Sequence, residues 1–291
     1  MEVYRRRSAG DATDTGFESI SETKRQDEDG YSIDDDSKSK KLKLTILEEV
    51  FLLGLKDRGG YLSFWNDNIS YVLRGCILIE LALRNRITVD KESMKRPYHD
   101  RILKVVDSSL TGEVILDEAL KLMKQDKQSV GDWIDLLSGE TWNVMKVGYQ
   151  LKQVRERIAK GLVDKGVLRT EKKNFVIFDM ATHPLADSTV KEEIVHRVVS
   201  SLLGIGNNNA RNQIGPSPSP RTLALLCATY AANVLENALV HLSHSQREAC
   251  FNRVDEILQS CAKANMRIGK TQTDIITGVI YIYSKMDSVL Y

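Results

Sequence analysis

From Thr45 onwards, apolar residues recur every three or four positions, which is the spacing of one face of an α-helix. Thr45 is followed three residues later by Glu48, a capping-box pattern that predicts the start of the first helix. The predicted helices cover residues 45–56, 69–83, 113–125, 130–137, 143–165, 190–203, 221–243, 245–263 and 272–287. We therefore predict a mainly α fold, a single domain with a central helical bundle, surrounding amphipathic helices and short β-hairpins.

The first 41 residues lack this periodic pattern. They are poor in apolar residues and rich in Ser, Asp, Glu and Lys, so they bury too little surface to offset the entropy lost on ordering. We predict a disordered tail over residues 1–41 and a helical domain over residues 42–291. A segment rich in Gly, Asn, Ser and Pro, residues 204–220, predicts an exposed loop within that domain.

The apolar segments are too short or too interrupted by polar residues to span a bilayer, which takes about 18 or more apolar residues. No hydrophobic run follows the arginines at positions 5–7, so we expect no secretory signal, and neither end carries a lipidation motif. Any membrane attachment is therefore expected to be peripheral and reversible. The four cysteines form no C-x-x-C pair, which favours reduced core thiols in the cytosol.

Charge is distributed unevenly along the chain. The formal net charge is only +1, yet residues 146–173 contain nine Lys or Arg and three Asp or Glu. In the predicted helix 143–165, Lys152 and Arg155 share a face beside the apolar stripe and can point together at one external anion. A solvated basic face is the alternative that charge alone leaves open. The apolar stripe consists of Val144, Val147, Leu151, Val154, Ile158 and Leu162.

Residues 167–178 come directly after Gly166 and predict a β-hairpin with Lys172-Lys173-Asn174 at its tip. The second arm, residues 175–178, is continuously apolar. A fully buried strand explains such a run, and so does a strand that dips into a lipid interface.

Four long strings resemble the Golgi phosphoprotein 3 family, and in particular its fungal members. The likeness is nearly continuous from about residue 42 to residue 240 and looser beyond it. The strings are EEVFLLGLKDRGGYLSFWNDNISYVLRGCILIELALRNRI, LLSGETWN, YQLKQVRERIAKGLVDKGVLRTEKKNFVIFDMATHPLAD and YAANVLENAL.

The resemblance implies a mostly helical domain without catalysis, and with no cofactor or metal. It further implies a peripheral protein on the cytoplasmic face of Golgi membranes that binds phosphatidylinositol 4-phosphate and exchanges with the cytosol. Members of the family also bind glycosyltransferase cytosolic tails and the COPI coatomer, which keeps those enzymes in the Golgi by retrograde recycling. We therefore expect these partners, together with self-association into a homo-oligomer, and no nucleic acid.

The resemblance also implies site residues. The lipid pocket of the family corresponds here to Trp65, Arg74, Lys152 and Arg155. The hairpin that contacts membrane and neighbouring subunits corresponds to Lys172, Lys173, Phe175, Val176, Ile177 and Phe178. The arginine cluster that fungal members offer to coatomer resembles Arg5, Arg6 and Arg7.

Two other function classes have less support from the residues. A winged-helix nucleic-acid-binding protein would use the basic helix 143–165 and the hairpin 167–178 as recognition helix and wing. The near-neutral total charge and the apolar second arm of the hairpin argue against it. An enzyme is disfavoured because the chain lacks G-x-S-x-G, Walker and Rossmann glycine motifs, and His241-x-x-His244 has no accompanying ligand set.

Overall fold

Ten α-helices account for most of the residues described in a computed structural model, which are 43–57, 59–62, 68–141, 143–174, 179–204, 218–263 and 271–286. The helices are α1 (Ile46–Gly54), α2 (Asn68–Leu83), α3 (Val114–Met123), α4 (Val130–Ser138), α5 (Val154–Asp164), α6 (Ser188–Leu203), α7 (Pro220–Ala231), α8 (Leu235–Leu239), α9 (His244–Lys263) and α10 (Thr271–Met286). The predicted mainly α fold is therefore confirmed. Within the described ranges, none of the helices combines the length and apolarity needed to cross a bilayer.

Two short antiparallel hairpins accompany the helices. Strand β1 (Ile87–Val89) pairs with β2 (Leu103–Val105), so that Ile87 lies opposite Val105. Strand β3 (Glu171–Asn174) pairs with β4 (Asp179–Thr182), so that Asn174 lies opposite Asp179. Each of these strand pairs forms a separate two-stranded sheet.

Helix α2 is the central element, and its residues 72–82 are all buried. It packs against α1, α4, α7 and α10, so that apolar residues on every side of the helix contact a neighbour, as expected for a core helix. Gly75 allows the closest approach, because a Cβ there would overlap the hydroxyl of Tyr283 on α10. That hydroxyl donates a hydrogen bond of 2.8 Å to the carbonyl of Val72, which ties α10 to α2.

Helix α1 begins as predicted, and its cap also anchors a network of buried charges. The Glu48 carboxylate accepts the N–H of Thr45 at 2.8 Å, which completes the capping box. The same carboxylate lies 2.8 Å from Lys165, just after α5. Its neighbour Glu49 binds Arg197 of α6 and Arg221 of α7 at 2.9 and 3.2 Å. Four helices are thereby joined through the first turn of α1.

Glu80 of α2 extends this network. Its carboxylate lies 3.0 Å from Arg221 and 2.9 Å from Arg84, and it accepts the backbone N–H of Ile46 at 3.1 Å. Since Glu80 is buried, these partners replace the water that an exposed carboxylate would bind.

The prediction of one helix over residues 143–165 is wrong. Residues Val144–Tyr149 form a 3-10 helix, and α5 begins only at Val154. Between them Gln153 has a left-handed backbone with φ of 53°, which ends any continuous helix. Tertiary bonding explains the break, because the N–H of Leu151 donates to the carbonyl of Leu137 on α4 at 3.0 Å instead of continuing the helical ladder.

The predicted apolar stripe is therefore only partly correct. Leu151, Val154, Ile158 and Leu162 are buried as predicted, but Val144 and Val147 of the same stripe are exposed. The prediction assumed a rotation of 100° per residue, which holds only along a continuous α-helix. A 3-10 helix and a left-handed turn change the rotation between successive side chains, so the stripe ends there.

Residues 221–243, which were predicted to form one helix, also divide into two helices, α7 and α8. Asn233 takes a left-handed backbone with φ of 52°, and asparagine tolerates that conformation better than most residues. Ser219 caps α7 and Pro220 occupies its first turn, a combination typical of a helix start.

The predicted hairpin over residues 167–178 is displaced along the chain. Lys172, Lys173 and Asn174 are paired residues of β3 rather than the tip. The returning strand is β4, so the predicted apolar arm, Phe175 to Phe178, falls between the two strands and outside the described residues. The side chains of Val167 and Leu168, which were placed in the first arm, are instead buried in the core.

The charge network generates a prediction on stability. Replacing Glu80 with Gln should lower the free energy of unfolding at pH 7 by about 2–3 kcal/mol, because Arg221 and Arg84 lose a buried counter-charge. Burial by itself raises the pKa of Glu80, but Arg221, the N–H of Ile46 and Arg84 together bring that pKa below its ordinary value of 4.5. Stabilisation by the ionised carboxylate is therefore present above about pH 4.5 and is lost as the pH falls through the folded-state pKa.

Urea unfolding of wild type and Glu80→Gln at pH 7 and at pH 3 measures this effect. The difference in unfolding free energy between the two proteins should be smaller at pH 3. The exposed Glu236 of α8 supplies a matched control, since Glu236→Gln should change stability by less than about 0.5 kcal/mol. Equal unfolding free energies for wild type and Glu80→Gln at pH 7 would contradict the prediction.

Candidate functional site

Arg74 lies on the buried helix α2, and its side chain is only 7% exposed. Its guanidinium donates to three backbone carbonyls, those of Leu137 at 3.3 Å, Ser70 at 2.8 Å and Leu151 at 2.9 Å. Three of the five guanidinium N–H groups are thereby used. The carbonyls belong to α2, to the end of α4 and to the segment before α5, so Arg74 holds these three parts of the chain together.

A second guanidinium lies close to the first. Arg155, in the first turn of α5, donates from Nε to the hydroxyl of Ser70 at 2.8 Å, while Arg74 donates to the carbonyl of that same serine. Ser70 thus positions two cationic side chains that come from helices far apart in sequence.

The electrostatics of Arg74 reflect this crowding. Burial and the positive charge of Arg155 lower the pKa of Arg74 to about 10, although Glu140 and Glu156 act in the opposite direction. Two like charges held together in a partly buried position disfavour each other unless an anion joins them. A further anion placed between these two guanidinium groups would offset part of that repulsion.

The remaining predicted cation, Lys152, is exposed and lies directly before the turn at Gln153. Gln153 is the N-cap of α5 and makes no side-chain capping bond. The N-terminus of an α-helix carries a partial positive charge and backbone N–H groups without intrahelical partners. Lys152, Arg155 and this helix start therefore provide positive charge in one short stretch of chain.

Tyr71 and Asp135 support the site from the α4 side. The Tyr71 hydroxyl donates to the Asp135 carboxylate at 2.6 Å. Burial and then this carboxylate raise the pKa of Tyr71 far above its ordinary value of 10.0, so the phenol stays protonated. Burial likewise raises the pKa of Asp135 despite the tyrosine hydrogen bond. This pair joins α2 to α4 next to the carbonyls that hold Arg74.

The arrangement is suited to binding an anion. Guanidinium and ammonium groups form charge-assisted hydrogen bonds with phosphate oxygens, and a helix N-terminus adds backbone donors. Across the part of the chain that the structure describes, no group of three His, Cys, Asp or Glu side chains is arranged to hold a metal ion.

Three of the four residues that the resemblance places in the lipid pocket belong to this region. Arg74 and Arg155 meet at Ser70, and Lys152 lies three residues before Arg155. The fourth, Trp65, lies outside the described residues, as do the apolar hairpin residues 175–178 and the arginines 5–7. Lys172 and Lys173 belong to β3.

Sequence reasoning missed what positions these cations. Neither the bonds of Ser70 to both arginines nor the three carbonyls around Arg74 leave a local pattern in the sequence. The turn at Gln153 also went unpredicted, since glutamine is not a usual residue for a left-handed backbone. A buried arginine inside the apolar run of α2 was the one available signal, because such a charge needs partners.

Comparisons with known proteins agree with the resemblance seen in the sequence strings. The family described as Golgi phosphoprotein 3 (GPP34) matches residues 46–272. A vacuolar protein sorting-associated protein 74 from Schizosaccharomyces pombe is 57% identical over 228 residues, which cover 76% of this chain and 68% of the relative. A protein of the same name from Eremothecium gossypii is 42% identical over 332 aligned residues, which cover the whole of both chains. The chain belongs to the Golgi phosphoprotein 3 family.

Proposed function

We propose that the protein is a peripheral Golgi membrane adaptor that binds phosphatidylinositol 4-phosphate and links glycosyltransferase cytosolic tails to COPI coatomer. Its family membership supports a Golgi-associated role. The observation that carries the lipid part of the proposal is the arginine pair: Arg74 and Arg155 meet at Ser70, with Lys152 beside the start of α5. This cluster is the proposed phosphate site.

The chemistry of the ligand matches the cluster. A phosphate monoester carries close to two negative charges at neutral pH and three strong acceptor oxygens. Such a group relieves the repulsion between Arg74 and Arg155 and accepts hydrogen bonds from fork-shaped donors. In the proposal Trp65 places its ring at the interface beside the head group, where tryptophan is favoured.

Membrane attachment through one such site is weak. Each basic residue near an anionic leaflet contributes about 1 kcal/mol, and a single apolar anchor gives marginal, reversible binding. The proposal therefore adds the hairpin residues 172–178 as a second contact with membrane or with a neighbouring copy. Self-association into a homo-oligomer and binding to protein tails then raise the overall affinity through avidity.

The protein partners complete the proposed adaptor. Glycosyltransferase tails are the cargo, and Arg5, Arg6 and Arg7 are the proposed contact with coatomer on the cytoplasmic face of the Golgi. The two relatives are named as sorting proteins and neither name describes an enzyme, which supports a role in transport without catalysis.

A nucleic-acid-binding function is less well supported. A winged-helix protein needs a continuous recognition helix next to its wing, whereas the basic segment 143–165 is interrupted at Gln153. The converging arginines fit a single phosphate better than a row of phosphates along a groove.

The first prediction from the proposed function concerns Lys152 and Arg155. The double replacement Lys152→Ala, Arg155→Ala should lower affinity for a soluble phosphatidylinositol 4-phosphate head group at least tenfold, measured by titration calorimetry. Lys152 is exposed and Arg155 only half-buried, so stability should change by no more than about 1 kcal/mol.

A double replacement of two exposed lysines elsewhere, Lys91→Ala with Lys160→Ala, removes the same total charge and serves as control. It should leave head-group affinity unchanged. If the control loses as much affinity as the Lys152, Arg155 variant, binding depends on overall charge and not on the proposed phosphate site.

The second prediction separates Arg74 from Arg155. Arg74→Met should lower the free energy of unfolding by about 2–3 kcal/mol, because three buried or partly buried carbonyls lose a charged donor. Arg155→Met should cost less than about 1 kcal/mol, since Arg155 is half-buried. Urea unfolding checks both values, and equal losses would show that Arg74 has no special structural role.

The third prediction tests selectivity. Vesicles with phosphatidylinositol 4-phosphate should bind the protein more tightly than phosphatidylserine vesicles of equal charge, and duplex DNA should bind weakly at physiological salt. A converging site distinguishes head groups, whereas a diffuse basic surface responds to charge density and salt. Co-sedimentation at two salt concentrations measures the difference, and equal binding to all three ligands would refute the proposed function.

A further inference from the structure

The 3-10 helix Val144–Tyr149 exposes a group of apolar side chains beside the proposed phosphate site. Val144 is 82% exposed, Met145 88% and Val147 49%. Val144 and Val147 are three residues apart, and side chains at that spacing in a 3-10 helix lie on the same side. We call these three residues the apolar turn.

The apolar turn is held in place at both ends. On its N-terminal side the Asn143 side chain accepts the N–H of Met145 at 3.0 Å. On its C-terminal side the Tyr149 ring packs edge-on against Trp133 with centroids 5.6 Å apart, and the Gln150 amide donates to the carbonyl of Ser138 at 3.3 Å. The exposed apolar side chains therefore belong to a segment whose backbone is held in place at both ends.

The one charged side chain within the 3-10 helix points elsewhere. The ammonium group of Lys146 lies 3.6 Å from the carboxylate of Asp126. The apolar turn thus presents Val144, Met145 and Val147 outward while its lysine is engaged with the protein. Three adjacent exposed apolar side chains on an anchored segment can bury apolar surface against a partner, which is favourable in water.

The turn is continuous with the proposed phosphate site. The carbonyl of Leu151, which follows the 3-10 helix by two residues, accepts a hydrogen bond from Arg74. Lys152 comes next in the chain, and from Thr141 to Arg155 there is no acidic residue. An exposed apolar group bordered by cations matches the interface of an anionic bilayer, where acyl chains lie beneath charged head groups.

We propose that the apolar turn inserts into the interfacial region of the bilayer whose head group occupies the phosphate site. The inference rests on the proposed function and deepens it, because it assigns a lipid-inserting element apart from the hairpin residues 172–178. Insertion buries Val144, Met145 and Val147 at little further cost in backbone ordering, since the segment is already anchored. A protein partner is less suited, because three side chains fall far short of the roughly 800 Å² per partner of a stable protein interface.

The test uses the full chain and two readouts. The four native cysteines are all buried, so Met145→Cys can be labelled selectively with an environment-sensitive fluorophore. Its emission should shift to the blue on phosphatidylcholine vesicles containing phosphatidylinositol 4-phosphate. Leu110→Cys and Val240→Cys are matched controls, because both positions are exposed apolar residues outside the turn, and their emission should not shift.

The second readout is partitioning. The double replacement Val144→Ser, Met145→Ser should reduce binding to these vesicles at least tenfold while affinity for the soluble head group stays within twofold of wild type. Both side chains are exposed, so urea unfolding should give wild-type stability. Leu110→Ser with Val240→Ser should leave both kinds of binding unchanged.

The outcomes separate the two proposals. Vesicle binding without a spectral shift at position 145, or a serine variant that partitions like wild type, overturns the insertion of the apolar turn and leaves the phosphate site standing. A serine variant that keeps vesicle binding but loses self-association would assign the turn to a protein contact instead.

Failure of the wild-type protein to bind the soluble head group overturns the proposed function itself. A blue shift at position 145 on anionic vesicles lacking the phosphoinositide would then still support insertion.

Discussion

The structure depends on the burial of two opposite charges in one central helix. Helix α2 has almost no solvent-facing side over residues 72–82, yet it contains Arg74 near one end and Glu80 near the other. Water cannot satisfy either group, so each must find its partners within the protein. Glu80 recruits Arg221, Arg84 and the start of α1, whereas Arg74 recruits carbonyls from α4 and from the chain before α5. The partners of these two charges therefore come from α1, α4, α7 and the chain before α5.

The same constraint places the candidate site. Because Arg74 is fixed by carbonyls, its position does not depend on a ligand, and Ser70 then holds Arg155 against it. Burial and then the positive charge of Arg155 lower the pKa of Arg74, while Glu140 and Glu156 oppose that shift. A site that is preorganised in this way loses little entropy when a phosphate binds. Under the proposed function, Arg74 therefore combines a structural role with a role in phosphate binding.

Interruption of the segment 143–165 brings two kinds of surface together. Had these residues formed one helix, Val144 and Val147 would have continued the buried stripe. The 3-10 helix and the turn at Gln153 instead leave the apolar turn exposed and start α5 next to the arginine pair. Cations and apolar side chains then border each other on a nearly neutral chain, which is the composition that a peripheral membrane protein requires at its contact surface.

The sequence by itself determined the helical fold, because apolar periodicity reports which face of each segment is buried. Capping at Thr45 and the boundaries of α3 and α4 followed from local patterns of this kind. Local patterns alone left a solvated basic face open for Lys152 and Arg155, and only the family resemblance joined these two residues to Arg74. Tertiary structure decided where the segments 143–165 and 221–243 break and how the cations are held. The physical reason is that these features depend on hydrogen bonds between residues remote in sequence, such as Ser70 and Arg155, which are 85 residues apart.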